Sequence, residues 1–137
     1  MKLNPDCIRD TLLQIEKDQQ YTKGVIGSSL NRLSGALLLE TDLKNKYSTE
    51  DIMYTVKQLH DHFYIDAGEF NAIGTTDYII RDIAPIGHAF LANIRNDTNW
   101  NKTKNVLQKV GTFALDYIKD VSAQVAAESI SAIIKGN

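Results

Sequence analysis

Three histidines, one cysteine and a few serines are the side chains of this 137-residue chain best suited to bind a metal or attack a substrate. His60 and His62 stand two residues apart, which on a helix turns them to different faces. A zinc pair on one helix needs a spacing of three or four, and His88 completes no recognisable ligand set. Cys7 falls in the first turn of an expected helix, where the dipole can lower a thiol pKa. Its apolar neighbours favour the plainer reading, a small packing residue on the buried face. Ser28 and Ser29 have no triad around them, and no two carboxylates stand out as an acid/base couple. Gly24 and Gly27 lack the preceding strand and the Gly-Lys-Ser/Thr of a phosphate loop. The chain is therefore not read as an enzyme, and neither a metal nor a cofactor is expected.

The remaining polar group of interest follows Ser48. There a helix is predicted whose exposed face carries Thr55, Lys57, Gln58 and His62, side chains able to read base edges in a DNA groove. Lys44 and Lys46 on the approach to this helix, and Arg81 beyond it, would serve phosphates. Glu50, Asp51 and Asp61 flank the same helix and oppose that use. The net charge is −2 overall, −4 over residues 1–84 and +2 over residues 85–137. Such a balance supplies no general attraction to nucleic acid or to an anionic membrane.

Hydrophobic spacing supplies the elements. A first helix is predicted over 5–18, with Asn4 as cap, Pro5 at its first position and Ile8, Leu12 and Ile15 on one face. Residues 19–36 read as a surface loop with a short strand around Val25–Ile26, and 36–43 as a short apolar run, helix or strand. Ser48 caps the next helix, whose buried stripe is predicted as Ile52, Val56, Leu59 and Phe63. Strands follow over 64–67 and 77–83, joined by a long, flexible connection. Pro85 opens another helix through Phe90, Leu91 and Ile94. A last helix is expected over 100–135, bent or divided at Gly111. Its apolar side, including Val110, Phe113, Tyr117, Val121 and Val125, would either fold back on its own domain or pair two chains. Trp100 is expected to anchor the junction to this helix.

Several runs resemble a known family. Met1-Lys2-Leu3-Asn4-Pro5-Asp6-Cys7-Ile8-Arg9-Asp10, then Tyr47-Ser48 leading to Ile52-Met53-Tyr54-Thr55-Val56, are similar to the proteins grouped as domain of unknown function 2513. So are Gly87-His88-Ala89-Phe90-Leu91, Asn93-Ile94-Arg95, Trp100 and Lys104. The chain departs from that pattern at Ala84-Pro85, where Leu-Thr is more typical, and at Phe63-Tyr64, where a small residue often ends the helix. The resemblance implies a phage- or prophage-associated winged helix with a helical extension and no established activity, so no catalytic residue is carried over.

The expected architecture is mainly α with a small β-hairpin (α+β). A winged helix-turn-helix domain would occupy 1–96, and a C-terminal helical extension 97–137. Two functions fit. One is a dimeric DNA-binding regulator; the other is a module that binds a host or phage protein through its acidic face and last helix. One cysteine permits no internal disulfide. The opening residues lack a signal-peptide core, and no stretch reaches the roughly 18 apolar residues of a membrane span. A cytoplasmic location in a bacterial cell is expected.

Overall fold

The computed structural model describes residues 1–19, 21–23, 28–30 and 33–136. Helix α1 (Pro5–Asp18) starts where its capping residues require. The Asn4 side chain accepts the Cys7 N–H at 3.2 Å, and Cys7, Ile8, Thr11, Leu12 and Ile15 are buried along one face. A two-stranded antiparallel ribbon follows, β1 (Tyr21–Lys23) with β2 (Ser28–Leu30). The strand expected at Val25–Ile26 and the Gly24–Gly27 spacing lie outside the described residues.

Strand β3 (Leu33–Ser34) leads into a one-turn helix α2 (Gly35–Leu38), capped by Ser34, and a 3-10 turn at Asp42–Asn45. Helix α3 (Thr49–Asp61) is capped by Ser48, whose hydroxyl accepts the Asp51 N–H at 3.1 Å. It buries Ile52, Thr55, Val56 and Leu59. Phe63 does not complete that stripe; it is 76% exposed. The reason is the way α3 ends. Phe63 turns left-handed at φ 65°, the Tyr64 N–H bonds the Leu59 carbonyl, and the Phe63 N–H bonds the His60 carbonyl. This is a Schellman ending. It carries the chain past Phe63 and brings Tyr64 into the core in its place.

Strands β4 (Ile65–Ala72) and β5 (Thr75–Ile83) form a long antiparallel hairpin, with β3 on the free edge of β5 in the order β3-β5-β4. The connection is not long. Only Ile73 and Gly74 join the strands, at φ 51° and 77°, and two consecutive positive φ angles match the twist of a tight hairpin. Residues 68–72, which the sequence assigns to the connection, lie within β4.

Helix α4 (Pro85–Ile94) opens at Pro85 as predicted. Gly87 permits it to sit against the strand entry: a Cβ there would overlap the Tyr64 carbonyl oxygen and lie 2.7 Å from Ile83 Cγ2. The expected single last helix is two, α5 (Asp97–Val110) and α6 (Leu115–Lys135). The break is at Gly111, whose φ of 87° ends α5, as the alternative of a division allowed. Helix α6 returns along α5 and α4 and buries Leu115, Ile118, Ser122 and Val125.

One hydrophobic cluster joins α1, α3, β5, α4, α5 and the start of α6. Polar contacts fasten its rim. Arg9 of α1 donates to the carbonyls of Ile94 and Arg95, at 2.8 and 2.6 Å, and to Asp97. Trp100 Nε1 and Lys104 Nζ donate to Asp6 at 2.8 and 2.9 Å. Arg95 makes a two-pronged pair with Glu16.

Two expectations follow for stability. Gly87→Ala forces α4 away from the Tyr64 carbonyl and should destabilise the fold by about 3 kcal/mol or more, read by denaturant unfolding. Burial alone would raise the Asp6 pKa, but the hydrogen bonds of Lys104 and Trp100 and the charges of Lys104 and Arg9 hold it below the usual carboxylate value. The Arg95 hydrogen bonds lower Glu16 as well. For both groups the folded pKa lies below the unfolded one. The stabilisation is therefore present above the unfolded pKa and is lost as pH falls through the folded pKa. The melting temperature should drop between about pH 5 and pH 3, and Asp6→Asn should flatten that drop.

Candidate functional site

The residues proposed to meet DNA do not converge. Thr55 does not lie on the exposed face of α3; it is 1% exposed. Its hydroxyl faces the Cys7 thiol but has no partner at hydrogen-bonding geometry. Lys57 is exposed, with its ammonium 2.5 Å from the Asp61 carboxylate one turn on. That hydrogen bond and charge raise the Lys57 pKa and lower that of Asp61. Gln58 is half-buried. His62 caps the end of α3 and points its Nδ1 toward Asp116 of α6, 3.7 Å away. Lys44 is exposed in the 3-10 turn, Lys46 lies 3.8 Å from Asp10, and Arg81 pairs with Asp66 across the hairpin at 3.0 Å.

The surface of α3 and the hairpin is acidic. Residues 49–83 contain seven carboxylates against Lys57 and Arg81, and both cations are paired. Tyr78 lies under this surface, its ring 5.0 Å from that of His60. Burial, then the negative charges of Glu69 and Asp61, raise its phenol pKa. Three large apolar side chains interrupt the acidic surface: Phe63 at 76%, Phe70 at 38% and Ile73 at 104% exposure. Phe63 and Ile73 are also the two non-glycine residues with positive φ among the described residues. A bulky or β-branched residue in that conformation is strained. Phe63 lines a shallow pocket of about 290 Å³ with His60, Ile65 and Ala84.

A larger cleft of about 560 Å³ lies on the other flank of α3, between that helix and the α5–α6 elbow. Leu3, Tyr54, Gln58, His62, Phe113 and Asp116 are among its walls. Cys7 is fully buried, and burial pushes its thiol pKa up, the reverse of what a nucleophile needs. No group of three His, Cys, Asp or Glu side chains among the described residues could hold a metal ion. No described helix is long and apolar enough to cross a membrane.

The residues assigned to chain pairing divide. Phe113 and Val121 are partly buried against the chain's own core, and Val125 is 8% exposed. The fold-back of α6 takes them up. Val110 and Tyr117 stay open at 61% and 56% exposure.

The family model described as "Hypothetical protein (DUF2513)" matches residues 2–114. The chain belongs to that family. A relative from Haemophilus influenzae, named only as an uncharacterized protein, is 30% identical over 132 residues, covering 96% of this chain and 100% of the relative. No solved structure matches. The DUF2513 match spans α1 to the α5–α6 elbow and stops one residue before α6.

Sequence reasoning places Phe63 in the core and does not mark Ile73 or the cleft. The helix ending could have been suspected from Phe63-Tyr64, two adjacent aromatics of which only one fits the stripe. The cleft joins α3 to residues some fifty positions away, and no local pattern marks it.

Glycine is the residue that a Schellman ending favours at the position of Phe63. Phe63→Gly should therefore leave the fold unchanged or stabilise it by up to about 1 kcal/mol. A loss of more than about 1 kcal/mol in denaturant unfolding would mean that the ring supports the structure instead of being displayed by it.

Proposed function

We propose that this DUF2513 protein is a winged-helix module that binds another protein, without a catalytic step of its own. The winged-helix reading is supported by element order. After α1 and the inserted β1–β2 ribbon come an edge strand, two short helical turns, α3 and the hairpin, with the sheet ordered β3-β5-β4. In that arrangement α3 takes the place of the recognition helix and the hairpin that of the wing.

The observation that carries the binding reading is the charge of that face. DNA affinity rests on unpaired cations meeting phosphates. Here Lys57 and Arg81 each already hold a carboxylate, and five further acids share their span. The dimeric DNA regulator also needs Thr55, Lys57, Gln58 and His62 on one surface. One of these is buried, and another leans toward α6. An acidic surface carrying exposed Phe63, Phe70 and Ile73 instead suits a basic protein surface with apolar recesses. Charge would steer the encounter, and the apolar side chains would serve as anchors. A phage or prophage origin and a cytoplasmic setting, which the family resemblance and the single cysteine suggest, are part of this reading.

Duplex DNA at low salt should give no binding. A photo-reactive residue in place of Ile73 should join the chain in bacterial cells to a protein through a lysine- and arginine-rich peptide. Glu69→Lys with Asp77→Lys should abolish that product. Micromolar DNA binding that weakens steeply with salt and is lost in Lys57→Ala with Arg81→Ala would overturn the reading in favour of a DNA regulator.

A further inference from the structure

Helix α6 carries a second apolar stripe that the fold does not use. Its buried stripe runs through Leu115, Ile118, Ser122 and Val125. Near its end the Ser129 hydroxyl donates to Asn99 Oδ1 at 2.8 Å in the first turn of α5. Residues 130–136 are all exposed. Ala123, Ala127, Ile130 and Ile134 follow at spacings of four, three and four. At 100° per residue they share an arc of about 60°, turned about 130° from the buried stripe. Ala123 and Ala127 are exposed, Ile130 is 59% exposed and Ile134 69%.

The order of sizes along this stripe is what identifies its occupant. Small residues fill its N-terminal half and isoleucines its C-terminal half. A two-fold axis perpendicular to α6, passing between residues 128 and 129, lays Ile130 over Ala127 of the partner subunit and Ile134 over Ala123 of the partner subunit. Both contacts then repeat by symmetry, as a self-complementary interface requires. The charges agree. Asp120 and Lys135 lie on the same flank of the stripe at its opposite ends, and antiparallel pairing brings each within about one turn of the other's counterpart. A parallel pair would stack isoleucine on isoleucine and place Asp120 beside its own copy.

We infer that the outer face of α6 is an antiparallel homodimer seam, with Ile130 and Ile134 as knobs over Ala127 and Ala123 of a second copy. This pairing uses residues outside the set read from the sequence, because the fold-back consumes Phe113, Val121 and Val125. It does not depend on what the α3–hairpin face binds.

Sedimentation equilibrium of the full chain tests the seam. A concentration-dependent dimer is expected, and Ile130→Glu should give a monomer up to high micromolar protein that melts at the temperature of the dilute, dissociated wild-type chain. Ala127→Glu should do the same from the opposite side of the contact. Cys7 is buried, so an introduced thiol is the accessible one. Chains carrying Ala123→Cys, mixed with chains carrying Ile134→Cys, should join to each other with a short bismaleimide. A wild-type monomer at high micromolar concentration overturns the inference. So does a dimer that survives both glutamate substitutions, or joining of Ile134→Cys chains mainly to themselves.

Discussion

Helix α1 has to satisfy two demands at once, and the arrangement of the other helices follows from how it does so. Its apolar face, Ile8, Leu12 and Ile15, is fully buried in the core. Its rim carries Arg9, and that side chain meets the exposed carbonyls at the end of α4. A cation there satisfies acceptors that have no intrahelical donor and lies at the negative end of the helix dipole. The Arg9 side chain is only 16% exposed, so its loss would leave the Ile94 and Arg95 carbonyls without their donors. The same guanidinium reaches Asp97 in the first turn of α5. One residue of α1 thus sets the corner between α4 and α5. Asp6, one turn earlier, receives Trp100 and Lys104 further along α5. The position of α6 follows, since it packs on the two helices that α1 has placed.

This use of cations has a consequence for the surface. Arg9, Arg95 and Lys104 are occupied in joining helices, and Lys57 and Arg81 in neutralising neighbours on the α3–hairpin face. Partly buried, charge-assisted contacts such as those of Arg9 resist salt. Exposed pairs such as Lys57–Asp61 contribute little to stability and are screened. The interior contacts therefore fix the shape, while the outer pairs mainly cancel positive charge. What remains over residues 49–83 is a carboxylate surface with three apolar side chains standing out of it. Two of those stand where the backbone itself is strained, and strain held at an exposed side chain points to what the chain displays more than to what holds it together.

Much of the framework was legible because it is written locally. Asn4, Pro5, Ser48 and Pro85 mark helix starts by satisfying or dispensing with backbone N–H groups, and the stripes of α1 and α3 follow from a period of 3.6. The errors share one cause. Phe63 continues the α3 period, so periodicity assigned it to the core, yet a helix that ends in a Schellman turn leaves its axis one residue before. Gly74 marks a bend by its residue type, but the tight Ile73-Gly74 turn stays hidden because isoleucine is a poor left-handed residue, and only the pairing of the strands shows that the chain reverses within those two residues. The functional face suffered from the same limit. Thr55 is polar and was placed outside, but its position on α3 falls between Ile52 and Leu59 and carries it inward. Long-range contacts such as Trp100 to Asp6 leave no trace in local spacing beyond the rarity of the tryptophan itself.

Helix α6 is where local and global information meet most directly. An amphipathic stripe states that a surface will be covered, but not by what. The apolar positions of α6 fall on two arcs, and a single hydrophobic count cannot separate them. Packing against α4 and α5 uses the arc of Ile118 and Val125, which is why Val125 and, in part, Val121 of the expected pairing surface are taken into the fold while Tyr117 is not. Only after that arc is subtracted does the second one, with its alanines ahead of its isoleucines, acquire meaning. Its size gradient has a direction along the helix, and a gradient of this kind is matched by a copy of itself only when the copy runs the opposite way.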